Sequence, residues 1–165
     1  HRRIAMLNGE ADLLIHRQYR DGFRQAVAIL DLAPDTVRYV EAPGTSKQDG
    51  IDAMTRILSE GAPPTALICG NDYLAWGAMD AAAEHGLRVP EDIAIMGIGD
   101  VDFASLLSPP LTTIRIPLFE LGRRAARMLF ELLDRGSLEE TVQVIRFDLA
   151  VRASTGASQP TSEFI

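Results

Sequence analysis

The strongest constraint on the fold is a regular alternation of short apolar segments with longer segments of helical periodicity. Apolar runs of this length are typical of buried strands, and apolar residues recurring every three or four positions are typical of amphipathic helices. Strands are predicted at residues 4–7, 37–41, 65–69 and 93–96, with helices between them at residues 19–30, 51–58 and 75–82. The first strand is expected to end in a turn at Asn8-Gly9, and the fourth to break after Met96 at Gly97. This alternation predicts an α/β fold, a doubly wound parallel sheet with right-handed crossovers, over residues 1–116.

Composition excludes several functional classes. The 165 residues carry a net charge of −7, and no basic stretch is longer than the pairs Arg2-Arg3 and Arg123-Arg124, so the chain alone is unsuited to binding nucleic acid. The single cysteine excludes an internal disulfide and fits a reducing cytoplasm. No apolar run approaches the ~18 residues of a membrane span, and no signal peptide is visible, so we expect a cytoplasmic protein with no membrane partner.

Motifs for catalysis are missing from the sequence. The three histidines stand apart from one another and from Cys69, which gives no metal-ligand spacing. The sequence contains neither a G-x-S-x-G elbow nor a P-loop, and no G-x-G-x-x-G follows the first strand. We therefore expect neither an enzyme nor a bound cofactor or metal.

Residues 89–114 carry the most specific pattern, VPEDIAIMGIGD followed by PPLTTI. Together with HRRIA at 1–5, GND at 70–72 and LAVRAST at 149–155, this pattern resembles the LacI (lac repressor) family of bacterial transcription regulators. The resemblance covers nearly the whole chain and implies a periplasmic-binding-protein-like (type I) effector domain. It also implies a fragment without the helix-turn-helix headpiece, the hinge and most of the N-terminal subdomain.

The resemblance further implies how the chain is divided. Residues 1–116 would be the C-terminal subdomain of the effector-binding domain, and residues 117–147 a helix and a strand of the mostly missing N-terminal subdomain. Residues 148–155 would close the C-terminal subdomain, and the polar tail 156–165 would be mobile. The apolar stripe of helix 118–134 would then lack its partner, which favours a dimer, a swapped assembly or repacking of this helix on the first unit.

Two positions beyond the predicted strands are candidates for ligand binding. Asn71 follows a strand at the edge where open α/β sheets bind ligands. Asn71 or Asp72 is also a natural helix cap, and we expect at least one of them to cap; both roles can hold at once, with Asp72 capping and Asn71 binding. At Gly99 the resemblance implies an effector-binding aspartate, so Asp100 is either the retained second acid of that pair or a shifted substitute.

Further effector contacts are implied only by the resemblance. Tyr19 stands where relatives place a ligand-clamping arginine, and Arg17 is the nearby candidate to replace it. Thr45 stands where relatives stack an aromatic ring, a contact that threonine cannot make. Ile68 matches a wall position but is more simply interpreted as a core residue of its strand.

The resemblance also places Trp76 and Leu107 at a homodimer interface, although a tryptophan in the core or in a groove fits the sequence equally well. The function that follows is sensing of a small sugar or sugar acid by a transcriptional repressor, with operator DNA bound only through the missing headpiece. A periplasmic sugar-binding protein and a doubly wound enzyme are the alternatives. The loss of the acid at Gly99 favours an anionic effector such as a sugar acid.

Overall fold

The computed structural model describes residues 1–138 and 140–156 and contains one six-stranded sheet of order β2-β1-β3-β4-β5-β6. The first five strands run parallel and β6 pairs antiparallel with β5, which confirms the predicted doubly wound parallel sheet. The strands are β1 (Ile4–Gly9), β2 (Val37–Ala42), β3 (Ala66–Cys69), β4 (Ala94–Gly99), β5 (Thr112–Arg115) and β6 (Asp148–Ala150). The helices are α1 (Leu14–Ile29), α2 (Lys47–Ser59), α3 (Asp72–Glu84) and α4 (Leu118–Arg135), with short 3-10 helices at Pro34–Thr36, Asp102–Ser105 and Ala153–Thr155.

The core lies between the sheet and the face formed by α2 and α3. Leu7, Leu67 and Ile95 of the central strands are fully buried there, together with Met54 of α2 and Leu74 of α3. Neither α1 nor α4 contains a buried residue. Most of the hydrophobic driving force for folding therefore comes from one side of the sheet, although Met6 is also buried on the other face.

Local capping decides where the two core helices begin. Ser46 and Asp49 form a reciprocal capping box, so α2 begins at Lys47, ahead of the predicted start at residue 51. The Ser46 hydroxyl accepts from the Asp49 backbone N–H at 3.2 Å, and the Asp49 carboxylate accepts from the Ser46 N–H at 2.8 Å. Such a box satisfies two backbone donors that the helix leaves without partners.

Strands β1 and β4 extend further than predicted. The expected turn at Asn8-Gly9 belongs to β1, where both residues pair with β2. The expected break after Met96 is likewise wrong, because β4 continues through Gly99, which lies opposite Arg115 of β5. Glycine weakens a strand without preventing it, and pairing with β5 supplies the missing stabilisation.

The predicted strand at 142–147 is wrong. Residues 142–147 form no regular element, and the last strand is β6, which follows directly at Asp148. Val142 and Val144 are 71% and 84% exposed, and none of the described strands pairs with this segment. Repacking of the preceding helix on the first unit is also not observed, because α4 buries no residue against the sheet. The expected mobile tail, apart from Gly156, lies outside the described residues.

The closing segment is anchored by its hydroxyl side chains. The buried Ser154 hydroxyl donates to the Ile95 carbonyl at 2.6 Å and accepts from the Thr112 N–H at 2.8 Å. The Thr155 hydroxyl lies 2.8 Å from the Thr112 hydroxyl. After the excursion through α4, the chain is thus fixed between β4 and β5.

A search of the described helices for a membrane-spanning segment finds none that is both long and apolar enough.

The exposed apolar side chains of α4 lead us to expect that the 165-residue chain self-associates. Replacing Phe119, Phe130 and Leu133 by lysine removes three large apolar groups from the exposed surface of α4. Because association there would be driven by burial of apolar area, we expect the triple variant to shift toward monomer at micromolar concentration. Sedimentation velocity measures the change.

A matched control adds the same three charges elsewhere. Gln25, Gln48 and Ser59 are exposed residues on α1 and α2, and their replacement by lysine leaves α4 intact. This control is expected to keep the association of the wild type. Equal sedimentation of the wild type and the α4 variant would contradict the expectation.

Candidate functional site

The candidate site lies at the carboxyl edge of the sheet, where the strand order reverses between β1 and β3. From β1 the chain passes outward to β2, whereas β3, β4 and β5 follow on the other side. In open α/β sheets the two connections at such a point diverge and leave a crevice for ligands. The loop 10–13 after β1 and the pair Gly70-Asn71 after β3 flank this crevice.

Asn71 links two loops of this edge. Its side-chain oxygen accepts from the Leu74 N–H at 2.7 Å and caps α3, while its amide nitrogen donates to the Thr45 carbonyl at 2.9 Å. Of the two predicted caps, Asn71 and not Asp72 therefore caps the helix. The structure brings Asn71 and Thr45 together and leaves the binding role of Asn71 as a proposal.

Asp72 is instead a buried side chain that connects three segments by hydrogen bonds, a role that the sequence analysis missed. One carboxylate oxygen accepts from the Thr113 hydroxyl at 2.5 Å, and the other accepts from the Val101 N–H at 2.9 Å. These bonds tie the start of α3 to β5 and to the loop after β4. Both oxygens of this almost fully buried carboxylate are thus hydrogen-bonded, as buried polar groups require.

Asp100 is held by two arginines. Its carboxylate accepts from Arg115 Nε at 2.5 Å and from Arg152 Nη2 at 2.6 Å, and its side chain is 10% exposed. Burial is the largest single influence and opposes ionisation, but the hydrogen bonds and charges of the two arginines together outweigh it and lower the pKa of Asp100. Arg152 also donates to the Leu111 carbonyl at 2.7 Å, so the cluster joins β4, β5 and the segment after β6.

The backbone at Gly99 explains why no side chain stands there. Gly99 has φ +138°, a conformation that residues with a Cβ atom rarely adopt, and a Cβ would lie 3.2 Å from the nearer Asp72 oxygen. Asp100 follows at φ +55°, a left-handed conformation that aspartate tolerates. The path of the main chain at this position is therefore suited to glycine.

The remaining effector candidates lie on α1 and β3. Arg17 is exposed and Tyr19 is half-buried, and burial raises the pKa of the Tyr19 hydroxyl. Ile68 is half-buried and points to the face of the sheet opposite Leu67 and Cys69, so it is not part of the main core. Within the described part of the chain, neither Arg17 nor Tyr19 forms a side-chain hydrogen bond or ion pair.

A polar cluster at the end of β1 was also missed. Asn8 is fully buried, and its amide nitrogen donates to the His16 carbonyl at 3.0 Å and to the Tyr39 hydroxyl at 3.1 Å. The signal in the sequence was a lone asparagine closing an apolar run, which we interpreted as a turn. It ties β1 to β2 and to the first turn of α1.

A cavity of about 590 Å³ lies just beyond the carboxyl end of β5. It is mainly apolar because α4 and the segment before β6 supply most of its wall. The lining residues are Gln18, Ile116, Pro117, Leu121, Gln143, Val144, Ile145 and Phe147.

An aromatic cluster covers α3 on the side of the candidate dimer residues. Trp76 and Tyr73 each contact the Phe103 ring at a centroid distance of 4.9 Å, and the Lys47 ammonium lies 3.9 Å from the Trp76 ring centroid. Trp76 and Leu107 are half-buried, whereas the neighbouring Leu106 is largely exposed. The surface is apolar and partly open.

Over residues 1–138 and 140–156, no group of three or more His, Cys, Asp or Glu side chains is placed to hold a metal ion.

Comparison with protein families gives one match over nearly the whole chain. The periplasmic binding protein-like domain matches residues 1–155. Among curated proteins, the HTH-type transcriptional repressor PurR of Pasteurella multocida is 37% identical over 156 residues, which are 93% of this chain and 46% of PurR. The HTH-type transcriptional repressor CytR of Escherichia coli is 31% identical over 157 residues, 95% of this chain and 46% of CytR. The chain thus spans about half the length of the curated relatives it matches.

Solved structures give the same picture. The lac repressor dimer bound to operator and the anti-inducer ONPF superposes with a TM-score of 0.86 at 32% identity, over 94% of this chain and 53% of that one. A LacI family transcriptional regulator from Enterococcus faecium with bound ribose superposes with a TM-score of 0.84 at 28% identity, over 94% of this chain and 57% of that one.

Replacing Asp100 by asparagine should destabilise the chain in a pH-dependent way. Because the pKa of Asp100 is lowered in the folded protein, its ion pairs stabilise above the pKa of an unfolded aspartate, about 3.9. That stabilisation is lost as pH falls through the lower folded pKa. We expect Asp100→Asn to lower the free energy of unfolding by about 2 kcal/mol at pH 7, and the difference to shrink below about pH 4. Urea unfolding at pH 7 and below about pH 4 measures the difference in the free energy of unfolding between the variant and the wild type.

Asp102→Asn is the matched control, because Asp102 is exposed and close in sequence. We expect it to change stability by less than about 0.5 kcal/mol at either pH. A difference for Asp100→Asn that grows as the pH falls would contradict the role of the ion pairs.

Restoring an acid by Gly99→Asp should also destabilise the fold. The positive φ is unfavourable for any side chain, and the new carboxylate would stand beside Asp72. We expect a loss of about 2 kcal/mol by thermal or urea unfolding, with Gly99→Ala losing less because it adds no charge.

Gly61→Ala serves as the control for backbone strain alone, since Gly61 has φ +124° and a Cβ there would meet no atom within 4 Å. Full stability of Gly99→Asp would show that the main chain at this position relaxes freely.

Proposed function

The chain belongs to the periplasmic binding protein-like domain family and to the LacI-type transcriptional regulators within it, and from this premise we propose that it senses an effector for a transcriptional repressor. The observation that carries the proposal is the gathering of Asn71, Thr45, Asn8 and Asp100 at the carboxyl edge of one sheet. Polar groups converging at such an edge are suited to orient a small polar ligand.

We infer that the effector is a sugar or, more specifically, a sugar acid. The acids at the strand ends, Asp72 and Asp100, already use both carboxylate oxygens on partners within the chain. Gly99 has no side chain that could accept a hydrogen bond. Arg17 is exposed and Arg115 is 53% exposed, so their guanidinium groups keep N–H donors that a ligand can reach. A guanidinium pairs well with a carboxylate. The exposed Glu10 and Asp12, in the loop after β1, are nearby opposing charges.

The dimerising role rests on the face that contains Trp76 and Leu107. Aromatic residues are enriched in protein interfaces, and Tyr73 and Phe103 enlarge this face. One of the structural relatives, the lac repressor, is a dimer bound to operator. We propose that this chain forms a homodimer through the side of α3 that carries Trp76.

The proposed mechanism is a two-state hinge in the cytoplasm. An effector that binds one arrangement of two subdomains more tightly shifts the equilibrium toward it, with a coupling free energy of about 1–3 kcal/mol. Operator DNA would be bound only by a headpiece outside residues 1–165, in keeping with the net charge of −7.

The curated relatives are named as transcriptional repressors, which favours this interpretation over a periplasmic sugar-binding protein or an enzyme. No observation on the described residues favours either alternative.

Thermal unfolding of the protein expressed from its intact gene tests the effector class. D-gluconate and D-galactonate are compared with D-glucose, D-galactose and D-ribose, each at millimolar concentration. A ligand at about 100 times its Kd adds about 2.7 kcal/mol to the stability, so we expect an aldonate to raise Tm by about 5 °C. Stabilisation by neutral sugars alone would contradict the proposal that the effector is a sugar acid, and would be consistent with a neutral sugar as effector.

Asn71→Asp is the informative variant in the same assay. It keeps the oxygen that caps α3 but replaces the amide donor by a carboxylate, so stabilisation by an aldonate should be lost. Gln48→Glu makes the same change of charge on the exposed surface of α2 and should respond like the wild type. An undiminished response of Asn71→Asp would remove Asn71 from the proposed site.

A further inference from the structure

The ring of His16 covers the carboxyl end of β1. A Cβ atom built on Gly9 would lie 2.8 Å from His16 Nδ1 and 2.8 Å from the Thr45 methyl group, so the imidazole and the Thr45 side chain both lie close to this glycine. Gly9 is the last residue of β1 and borders the crevice at the reversal of strand order. The histidine ring therefore stands beside the position where Thr45 offers no aromatic surface.

Two hydrogen bonds fix the position of His16, one at its ring and one at its backbone carbonyl. His16 Nδ1 lies 2.8 Å from the Glu10 carbonyl, and because a carbonyl only accepts, Nδ1 carries the proton and donates. The His16 carbonyl accepts from the buried Asn8 amide at 3.0 Å. Asn8 is thus a positioning residue, and the imidazole is oriented without help from a ligand.

The other ring nitrogen remains available. Among the described residues, His16 Nε2 has no hydrogen-bond partner, and the side chain is only half-buried. In the neutral tautomer set by Glu10, Nε2 accepts a hydrogen bond, and when the ring is protonated Nε2 donates one. A polyol hydroxyl suits the first state and a carboxylate the second.

We propose that His16 is an effector-contacting residue, which uses Nε2 to bind a hydroxyl or carboxylate and its flat face to pack against the carbon skeleton. This inference rests on the proposed function, since it assigns a further contact in the same crevice. Fixed orientation adds to affinity because less freedom is lost on binding. His16 supplies the planar surface that Thr45 does not.

Two substitutions separate binding from structural support. Asparagine at position 16 places its amide nitrogen close to where Nδ1 lies and can keep the bond to the Glu10 carbonyl, but it lacks the ring and Nε2. Glutamine places its amide near the Nε2 position. We expect His16→Asn to weaken binding at least tenfold with an unchanged Tm of the free protein, and His16→Gln to recover part of that loss.

The experiment is isothermal titration of the protein expressed from its intact gene with D-gluconate and, separately, with D-glucose. The matched control is His85→Asn, because His85 Nδ1 also lies 2.8 Å from a backbone carbonyl, that of Ala81, at the far end of α3. Its affinity should equal that of the wild type. A change in the His16 Cε1–H resonance on addition of the bound probe provides a second readout, which a supporting role alone would not produce.

The outcomes distinguish the two proposals. Unchanged affinity of His16→Asn in a protein that binds either probe overturns the role of His16 and leaves the sensing of sugars intact. Binding of D-glucose alone rejects the acid effector, and the role of His16 is then tested by the affinities of the wild type and of His16→Asn for D-glucose. A wild-type protein that binds neither probe nor the other sugars rejects both proposals.

Discussion

The Asp100 ion-pair cluster is the interaction on which the carboxyl edge of the sheet depends. Its two arginines come from the end of β5 and from the segment after β6, two points separated by the whole excursion through α4. β6 is an edge strand of three residues paired only with β5, so the ion pair between Arg152 and Asp100 adds a further attachment for the segment after it. The side chains of Asp100 and Arg152 are only 10% and 14% exposed, and an unpaired charge at so buried a position is costly. The two ion pairs therefore stabilise one arrangement of Asp100, Arg115 and Arg152.

The same cluster shapes the electrostatics of the crevice. The carboxylates that follow β3 and β4 already have partners within the chain: Asp100 pairs with two guanidinium groups, and Asp72 accepts hydrogen bonds from β5 and from the loop after β4. In the described part of the chain, the side chains beside the crevice without such partners are Arg17 and the exposed acids Glu10 and Asp12, together with Nε2 of His16. A guanidinium favours a ligand group of the opposite charge.

Apolar surface is distributed unequally over the molecule. The side of the sheet under α2 and α3 is closed by fully buried residues such as Met54 and Leu74, whereas α1 and α4 keep their apolar side chains exposed. The crevice lies at one end of the sheet that both sets of helices share. A surface of this kind is stabilised when another protein surface covers it.

The sequence by itself determined the element order, the parallel sheet and the family, because the alternation of periodicities and the VPEDI, GND and PPLTT motifs are local patterns. It also located Asn71 and Asp100, since both lie a few residues beyond a predicted strand. Only the tertiary structure decided what their side chains do, because their partners Thr45, Arg115 and Arg152 come from distant parts of the chain. Exposure of residues 142–147 and the ring of His16 over Gly9 likewise depend on packing between elements, which local periodicity does not encode.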